Sequence, residues 1–176
     1  LNGFNLYFND QRKFGWVKVI SDKREVISDK FLNSLGPEPL DKDFGVKSLE
    51  SRLKRKQRSN IKQALLDQKV VSGIGNIYAC EALFLAKIDP RRKVDSLSMI
   101  EIKRLFRGIQ ETLKAGIKHG GSSKVHFVNA DGKKGYFLDY ANVYSRQGES
   151  CKVCGTKIEK IKLGGRGTVF CPSCQK

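Results

Sequence analysis

The chain has 176 residues, of which 39% are apolar and 30% charged, and this composition is typical of a folded globular protein rather than a disordered one. Its 34 Lys and Arg residues outnumber its 18 Asp and Glu residues, and the formal net charge of +16 predicts a polyanionic partner. No apolar run approaches the ~20 residues of a membrane-spanning helix and no secretory signal pattern opens the chain, so we expect a cytosolic protein with no membrane partner.

Two aromatic and β-branched runs open the chain, at 4–8 and 14–20, and the polar residues 9–12 between them have turn chemistry. This pattern predicts a β-hairpin. An isolated hairpin needs further strands or a helix to cover its face. We therefore expect further structure on the N-terminal side, and we interpret Leu1 as an interior point of a larger protein.

Residues 35–40, Leu-Gly-Pro-Glu-Pro-Leu, predict a domain boundary, because each proline removes a backbone donor and restricts the residue before it. Beyond this boundary the apolar periodicity predicts helices over about 42–53, 59–67, 76–86 and 98–118. The last helix has the clearest limits. Ser98 and Glu101 have the spacing of a capping box at its start, and glycines after His119 end it.

Four of the five cysteines form two Cys-x2-Cys pairs near the C-terminus, Cys151 with Cys154 and Cys171 with Cys174, separated by sixteen residues. This spacing predicts one structural zinc ion, and a redox pair or disulfides are the alternative. The segment between the pairs is expected to form a hairpin over about 158–169. Because sulfur would fill all four positions, such a zinc ion stabilises a fold and performs no hydrolysis. The fifth cysteine, Cys80, is expected to be a small buried apolar residue.

Two features favour phosphate binding. A basic run at 54–58 precedes the helix predicted at 59–67, and the Gly-x-Gly turn at 73–75 leads directly into the helix that begins at Asn76, whose first N–H groups suit an anion. A purely structural tight turn is the alternative. Arg166, placed between glycines at the predicted hairpin tip, matches phosphate geometry, and simple solvation is its alternative.

Five motifs then give the chain a resemblance to the formamidopyrimidine-DNA glycosylase family, bifunctional enzymes that excise oxidised purines and cleave the abasic strand. They occur in the family's order: Asp-x-Arg-x-Phe-Gly at 10–15, Leu-Gly-Pro-Glu-Pro-Leu at 35–40, Gly-Ile-Gly-Asn-Ile-Tyr-Ala at 73–79, Asp-Gly-Lys-Lys-Gly-Tyr-Phe at 131–137, and Gly-Arg-Gly-Thr at 165–168.

The resemblance implies a mixed α and β fold in three parts. Residues 1–34 are expected to form the remnant of an N-terminal β-sandwich, namely its last strands. Residues 35–140 are expected to form an α-helical helix-two-turns-helix DNA-binding domain with a base-capping loop over 121–136. Residues 141–176 are expected to form a four-cysteine zinc-finger β-hairpin.

The resemblance also implies roles for individual residues. Arg12 and Phe14 would enter the duplex where the damaged base has left, Lys62 and Asn76 would hold the phosphates around the flipped nucleotide, and Arg166 would grip these phosphates and donate a proton in the final elimination. The complete DNA-binding set expected is Arg12, Phe14, Arg58, Lys62, Gly75, Asn76, Tyr136 and Arg166.

The chain departs from the family at the nucleophile, which the resemblance places on an N-terminal proline assisted by a glutamate and a lysine. The first proline here is Pro37, and its amine is not free. We therefore expect the parent protein to be a DNA glycosylase with AP lyase activity and this segment alone to be inactive.

The expected partner is double-stranded DNA with an oxidised purine, such as 8-oxoguanine or a formamidopyrimidine, or an abasic site, bound by a monomer. A standalone, non-enzymatic zinc module that binds DNA or RNA is the alternative. Arg12 and Phe14 favour the glycosylase, because a general nucleic-acid binder needs no wedge.

Overall fold

The structure is a computed structural model that describes residues 3, 7, 8, 10, 13, 15–17, 30–122 and 135–176. It contains two compact units, Leu1–Ser34 and Leu35–Lys176. In the first unit a short helix α1 spans Lys30–Ser34, and the ring of Trp16 meets that of Phe31 edge-on at 6.1 Å. Most of the hairpin predicted within residues 4–20, including Arg12 and Phe14, lies outside the described residues, as does most of the predicted capping loop.

The described part of the second unit carries helices, a 3₁₀ turn and a hairpin. Its elements in chain order are α2 (Val46–Lys54), α3 (Ile61–Leu66), α4 (Asn76–Ala86), the 3₁₀ turn (Val94–Ser96), α5 (Met99–Lys118), α6 (Phe137–Tyr140), β1 (Glu159–Leu163) and β2 (Arg166–Phe170). None of the helices in the described ranges is long and apolar enough to cross a membrane.

The predicted limits of α4 and α5 match the structure, whereas α2 and α3 begin later than predicted. Before α2, the N–H of Phe44 closes a turn onto the Asp41 carbonyl, and the extended Gly45 caps the helix. Before α3, Asn60 forms an isolated bridge with Lys93. Turn and bridge hydrogen bonds therefore occupy backbone that the apolar periodicity alone assigned to helix.

The capping box predicted at the start of α5 is present. Ser98 Oγ accepts from the N–H of Glu101, and the Glu101 carboxylate accepts from the N–H of Ser98. The Glu101 carboxylate also pairs with Arg92, and this hydrogen bond is the largest cause that lowers the pKa of Glu101 to about 2. The start of the longest described helix is thus fixed by both local and long-range bonds.

Helix α4 is buried on both sides. Helix α5 packs against one side so closely that a Cβ added at Gly108 would lie 2.7 Å from the carbonyl oxygen of Ala82. This contact belongs to the larger apolar core, which includes Leu83, Leu105 and Ile109. Because Gly108 has no side chain, the backbones of the two helices can approach at this point.

The finger packs against the other side of α4. Cys80 and Phe84 of α4 form a second apolar cluster with Val143, Ile158 and Val169, which confirms that Cys80 is buried. A further anchor lies near the C-terminus, where the Gln175 side chain donates to the Ile88 carbonyl at 2.9 Å and accepts from the Cys171 N–H at 2.8 Å.

The hairpin predicted within the finger is present, with β1 antiparallel to β2 and Leu163 opposite Arg166. The position predicted for Arg166 at its tip is wrong by one residue. Gly164 and Gly165, with φ values of +56° and +77°, form the turn, and Arg166 is the first residue of β2. Two consecutive left-handed residues favour glycine, so the turn closes before the arginine.

Candidate metal centre and nucleic-acid interface

The sulfur atoms of Cys151, Cys154, Cys171 and Cys174 form one cluster, in which all four lie within 4.8 Å of one another. The Cys151–Cys174 sulfurs are 3.9 Å apart and the Cys154–Cys171 sulfurs 3.5 Å apart. A tetrahedral zinc ion with bonds of about 2.3 Å places its sulfurs about 3.8 Å apart. The four cysteines therefore fit one zinc ion, and all five cysteines of the chain are free of disulfides.

The thiols of this cluster influence one another's ionisation. Hydrogen bonding to Thr156 lowers the pKa of Cys154 to about 6. Burial, followed by hydrogen bonds from the neighbouring thiols, raises the pKa of Cys174 to about 12. Four thiolates cannot share this space without a cation, because each added negative charge opposes the next. A divalent ion removes that opposition, and zinc binding therefore releases protons.

Lys62 on α3 is fully buried, and its ammonium group joins three parts of the fold. It donates to Asn76 Oδ1 at 2.6 Å, to Thr168 Oγ1 at 2.7 Å and to the Gly167 carbonyl at 3.1 Å. Burial lowers the pKa of Lys62 below its usual value. An ammonium group has three N–H donors, and here all three reach protein acceptors. The family resemblance implies a direct phosphate contact, but the structure places this lysine beneath the surface.

Asn76 is the first residue of α4, and its side chain is fixed on both sides. Its oxygen accepts from Lys62, and its Nδ2 donates to the Gly167 carbonyl at 3.0 Å. The first intrahelical bond of α4 comes from Ala79 to Gly75, so the N–H groups at the helix start are not used within the helix. Gly75 is exposed and extended, and no atom lies within 4 Å of a Cβ added there. An anion can therefore approach the backbone closely at this point.

A cleft of about 330 Å³ opens between the start of α4 and the finger. It is lined by Asn76, Tyr144, Ser145, Gln147, Lys160, Gly167 and Val169. Arg166 is exposed and lies directly before Gly167, the residue whose carbonyl Lys62 and Asn76 both bind. The arginine is thus carried by the strand that forms one wall of the cleft.

Two further predicted DNA-binding residues, Arg58 and Tyr136, lie in the described part of the chain but away from this cleft. Arg58 is exposed between α2 and α3, and Tyr136 is exposed where the predicted capping loop ends, with its N–H bound to the His119 carbonyl at 2.8 Å. Neither lines the cleft.

Four polar residues of the cleft were missed by sequence reasoning: Tyr144, Ser145, Gln147 and Lys160. The only feature in the sequence that could have indicated the first three is their position in a polar stretch just before Cys151. Ser145 has a left-handed φ of 63°, which no sequence pattern predicts. This conformation turns the chain at the cleft wall.

Two known protein-family models match this chain. Residues 35–127 match the formamidopyrimidine-DNA glycosylase H2TH domain, and residues 148–176 match the zinc finger found in FPG and IleRS. The chain belongs to the formamidopyrimidine-DNA glycosylase family. This confirms the resemblance, the mixed fold with its helix-two-turns-helix domain, and a finger with one structural zinc. A standalone module outside the family is not favoured.

Curated members of the family are similar along nearly the whole chain. The formamidopyrimidine-DNA glycosylase of Listeria innocua is 47% identical over 171 residues, which are 97% of this chain and 62% of that protein. That of Oceanobacillus iheyensis is 45% identical over 174 residues, 99% of this chain and 61% of that protein. The chain spans about three fifths of the length of these relatives.

Solved structures of the family share the fold. The MutM (Fpg) protein from Thermus thermophilus matches with a TM-score of 0.78 and 41% identity, over 88% of this chain and 57% of that one. Lactococcus lactis Fpg in complex with DNA containing an abasic site matches with a TM-score of 0.79 and 40% identity, over 88% and 56%. A complex of the Lactococcus lactis protein with Fapy-dG containing DNA matches with a TM-score of 0.77 and 40% identity, over the same shares.

Proposed function

We propose that this chain is the DNA-binding and lesion-recognition part of a base-excision repair DNA glycosylase. The observation that carries the proposal is the junction at which Lys62 holds Asn76 of α4 and Gly167 of the finger together beside a polar cleft. Family membership, the net charge of +16 and the DNA bound to the Lactococcus lactis structures support it.

In this proposal the cleft receives the DNA backbone at the damaged nucleotide. The unused N–H groups at the start of α4 face a phosphate oxygen, and the guanidinium of Arg166 binds a second oxygen in its fixed planar geometry. Lys160, which also lines the cleft, adds positive charge there. Lys62 contributes indirectly, by orienting Asn76 and the Gly167 backbone.

The remaining residues act on the duplex around this phosphate. Arg12 and Phe14 fill the gap left by the extruded base, since a planar cation can bond a base edge and an aromatic ring can replace lost stacking. Arg58, Gly75 and Tyr136 complete the contacts to DNA. The substrates are duplexes with 8-oxoguanine, a formamidopyrimidine or an abasic site, bound by a cytosolic monomer.

Salt dependence tests the phosphate contacts. Replacing Arg166 with alanine should weaken binding to an abasic-site duplex and flatten the plot of log affinity against log salt by about one unit, because one fewer counterion is released. Lys103→Ala removes one exposed positive charge from α5 and is the matched control. The slope should stay unchanged in the control; equal slopes for Arg166→Ala and the wild type would contradict the contact. One chain bound per duplex in the same titration would support the monomer.

Chemistry on the sugar is a separate part of the proposal. The whole glycosylase is proposed to excise the base and to cleave the abasic strand as an AP lyase, with Arg166 donating a proton in the final elimination. A polypeptide of these 176 residues offers lysines but no N-terminal proline, and an exposed lysine with a pKa of ~10.4 is almost wholly protonated near neutrality.

Borohydride trapping tests this division of roles. Mixed with abasic-site duplex and borohydride, the 176-residue polypeptide should bind the DNA without forming a covalent adduct, whereas the same residues within a full-length relative should be trapped. Efficient trapping by the 176-residue polypeptide would show that a nucleophile lies within it.

A further inference from the structure

Glu81, in the middle of α4, carries a buried carboxylate for which the proposed function gives no role. Its side chain is 1% exposed. Within the described ranges no lysine, arginine or histidine forms an ion pair with it. A buried carboxylate is costly unless hydrogen bonds replace its water. The partners of Glu81 therefore indicate what its burial achieves.

Among the described residues, the donors to Glu81 come from three consecutive residues at the start of the finger. Oε2 accepts from the N–H of Asn142 at 2.8 Å and from its Nδ2 at 3.0 Å. Oε1 accepts from the N–H of Val143 at 2.9 Å and from that of Tyr144 at 2.8 Å. Three backbone amides thus converge on one carboxylate, and such charge-assisted bonds are stronger than neutral ones.

The captured segment leads directly into the wall of the phosphate cleft. Tyr144 and Ser145 line this wall, and the left-handed Ser145 turns the chain immediately after the last captured amide. Asn76, on the opposite wall, precedes Glu81 by five residues on the same helix, about 7.5 Å along its axis. Helix α4 therefore carries one wall of the cleft and, through Glu81, holds the other.

We propose that Glu81 is a positioning residue that sets the distance between the two walls of the cleft, so that Tyr144 and Asn76 contact the same DNA backbone. The inference rests on the proposed function, because it assigns the cleft to a phosphate. The apolar contacts of Cys80 and Phe84 hold the finger against α4, but they are non-directional. The four hydrogen bonds of Glu81 fix the register in which the finger sits.

The test compares Glu81→Gln with Glu111→Gln, an exposed glutamate on α5. Both changes remove one negative charge, so general attraction to DNA predicts that both strengthen binding. The positioning role predicts that the two variants change affinity in opposite directions. Glu81→Gln should bind an abasic-site duplex roughly tenfold more weakly, because the glutamine NH2 group faces the backbone N–H donors and cannot accept from them, so residues 142–144 are released. Glu111→Gln should bind as tightly as the wild type or more tightly.

A double-substitution cycle separates positioning from general loss of stability. Tyr144→Phe should weaken binding in the wild type, yet should change little in a Glu81→Gln background, where Tyr144 is already displaced. A zinc content of one per chain confirms that the variants keep the finger. If Glu81→Gln cannot be obtained folded, Asn142→Ala, which removes one of the four donors, should give a smaller loss in the same direction.

The outcomes are distinct. Glu81→Gln binding as tightly as Glu111→Gln, additive effects of Tyr144→Phe, or unchanged binding by Asn142→Ala would overturn the positioning role while leaving the proposed function in place. Failure of the wild-type chain to bind duplex in a salt-dependent manner would overturn the proposed function, and this inference with it.

Discussion

Replacing Cys171 with serine should release the zinc ion and abolish tight binding of duplex DNA. Cys171 is fully buried in the second apolar cluster, and structural zinc sites contribute on the order of 10 kcal/mol to folding. Without the ion the finger should unfold, and the cleft should lose Lys160 and Tyr144 together with the strand that carries Arg166. The helical signal in circular dichroism should largely persist, because the larger core of α2 to α5 contains no residue of the finger. Zinc content, circular dichroism and duplex affinity measure the three effects.

Cys80→Ser is the matched control for this experiment. Cys80 is as buried as Cys171 and lies in the same apolar cluster, but it is not among the four sulfurs of the metal cluster. The control should keep one zinc per chain and lose only some stability. A full complement of zinc in Cys171→Ser would contradict the four-cysteine site, and collapse of the helical signal would contradict the independence of the larger core.

Lys62→Met should lower both stability and duplex affinity. Methionine fills a similar volume but donates no hydrogen bond, so three acceptors on Asn76, Gly167 and Thr168 lose their common partner. Each unsatisfied buried group costs about 1–3 kcal/mol, and we expect the free energy of unfolding to fall by about 3 kcal/mol. Affinity should fall as well, because Asn76 and the backbone beside Arg166 are no longer fixed. Urea unfolding and duplex titration measure the two effects.

Lys160→Met supplies the comparison, since this exposed lysine lines the cleft itself. Its replacement should flatten the salt slope by about one unit and leave the stability unchanged. The reverse pattern, in which Lys62→Met is as stable as the wild type and flattens the slope, would show that Lys62 contacts a phosphate directly.

The features that sequence reasoning found are those whose cause is local in the chain. The start of α4 at Asn76 follows from the glycine turn before it, and the capping box of α5 needs only Ser98 and Glu101. In the zinc site two residues separate the ligands of each pair, and this spacing limits the fold between them. In each case neighbouring residues determine the conformation.

The features that sequence reasoning missed depend on distant partners. A lysine after a basic run is expected at the surface, but Lys62 is buried because its acceptors on the finger lie more than one hundred residues further along the chain. Glu81 is likewise held by amides more than sixty residues away. The spacing of apolar residues along the chain cannot predict such partners, since each becomes available only when the finger packs on α4. The burial of both charges is thus a property of the tertiary fold.

The placement of α4 between two separate apolar clusters has a consequence for recombination between proteins. One side of this helix is shaped to α5 at Gly108, and the other is shaped to the finger through Cys80 and Phe84. A finger transplanted alone onto a foreign helical domain would lack the surface that receives it, although its own zinc ligands were complete. A host domain must therefore supply an apolar surface of its own in the place that Cys80 and Phe84 of α4 occupy here.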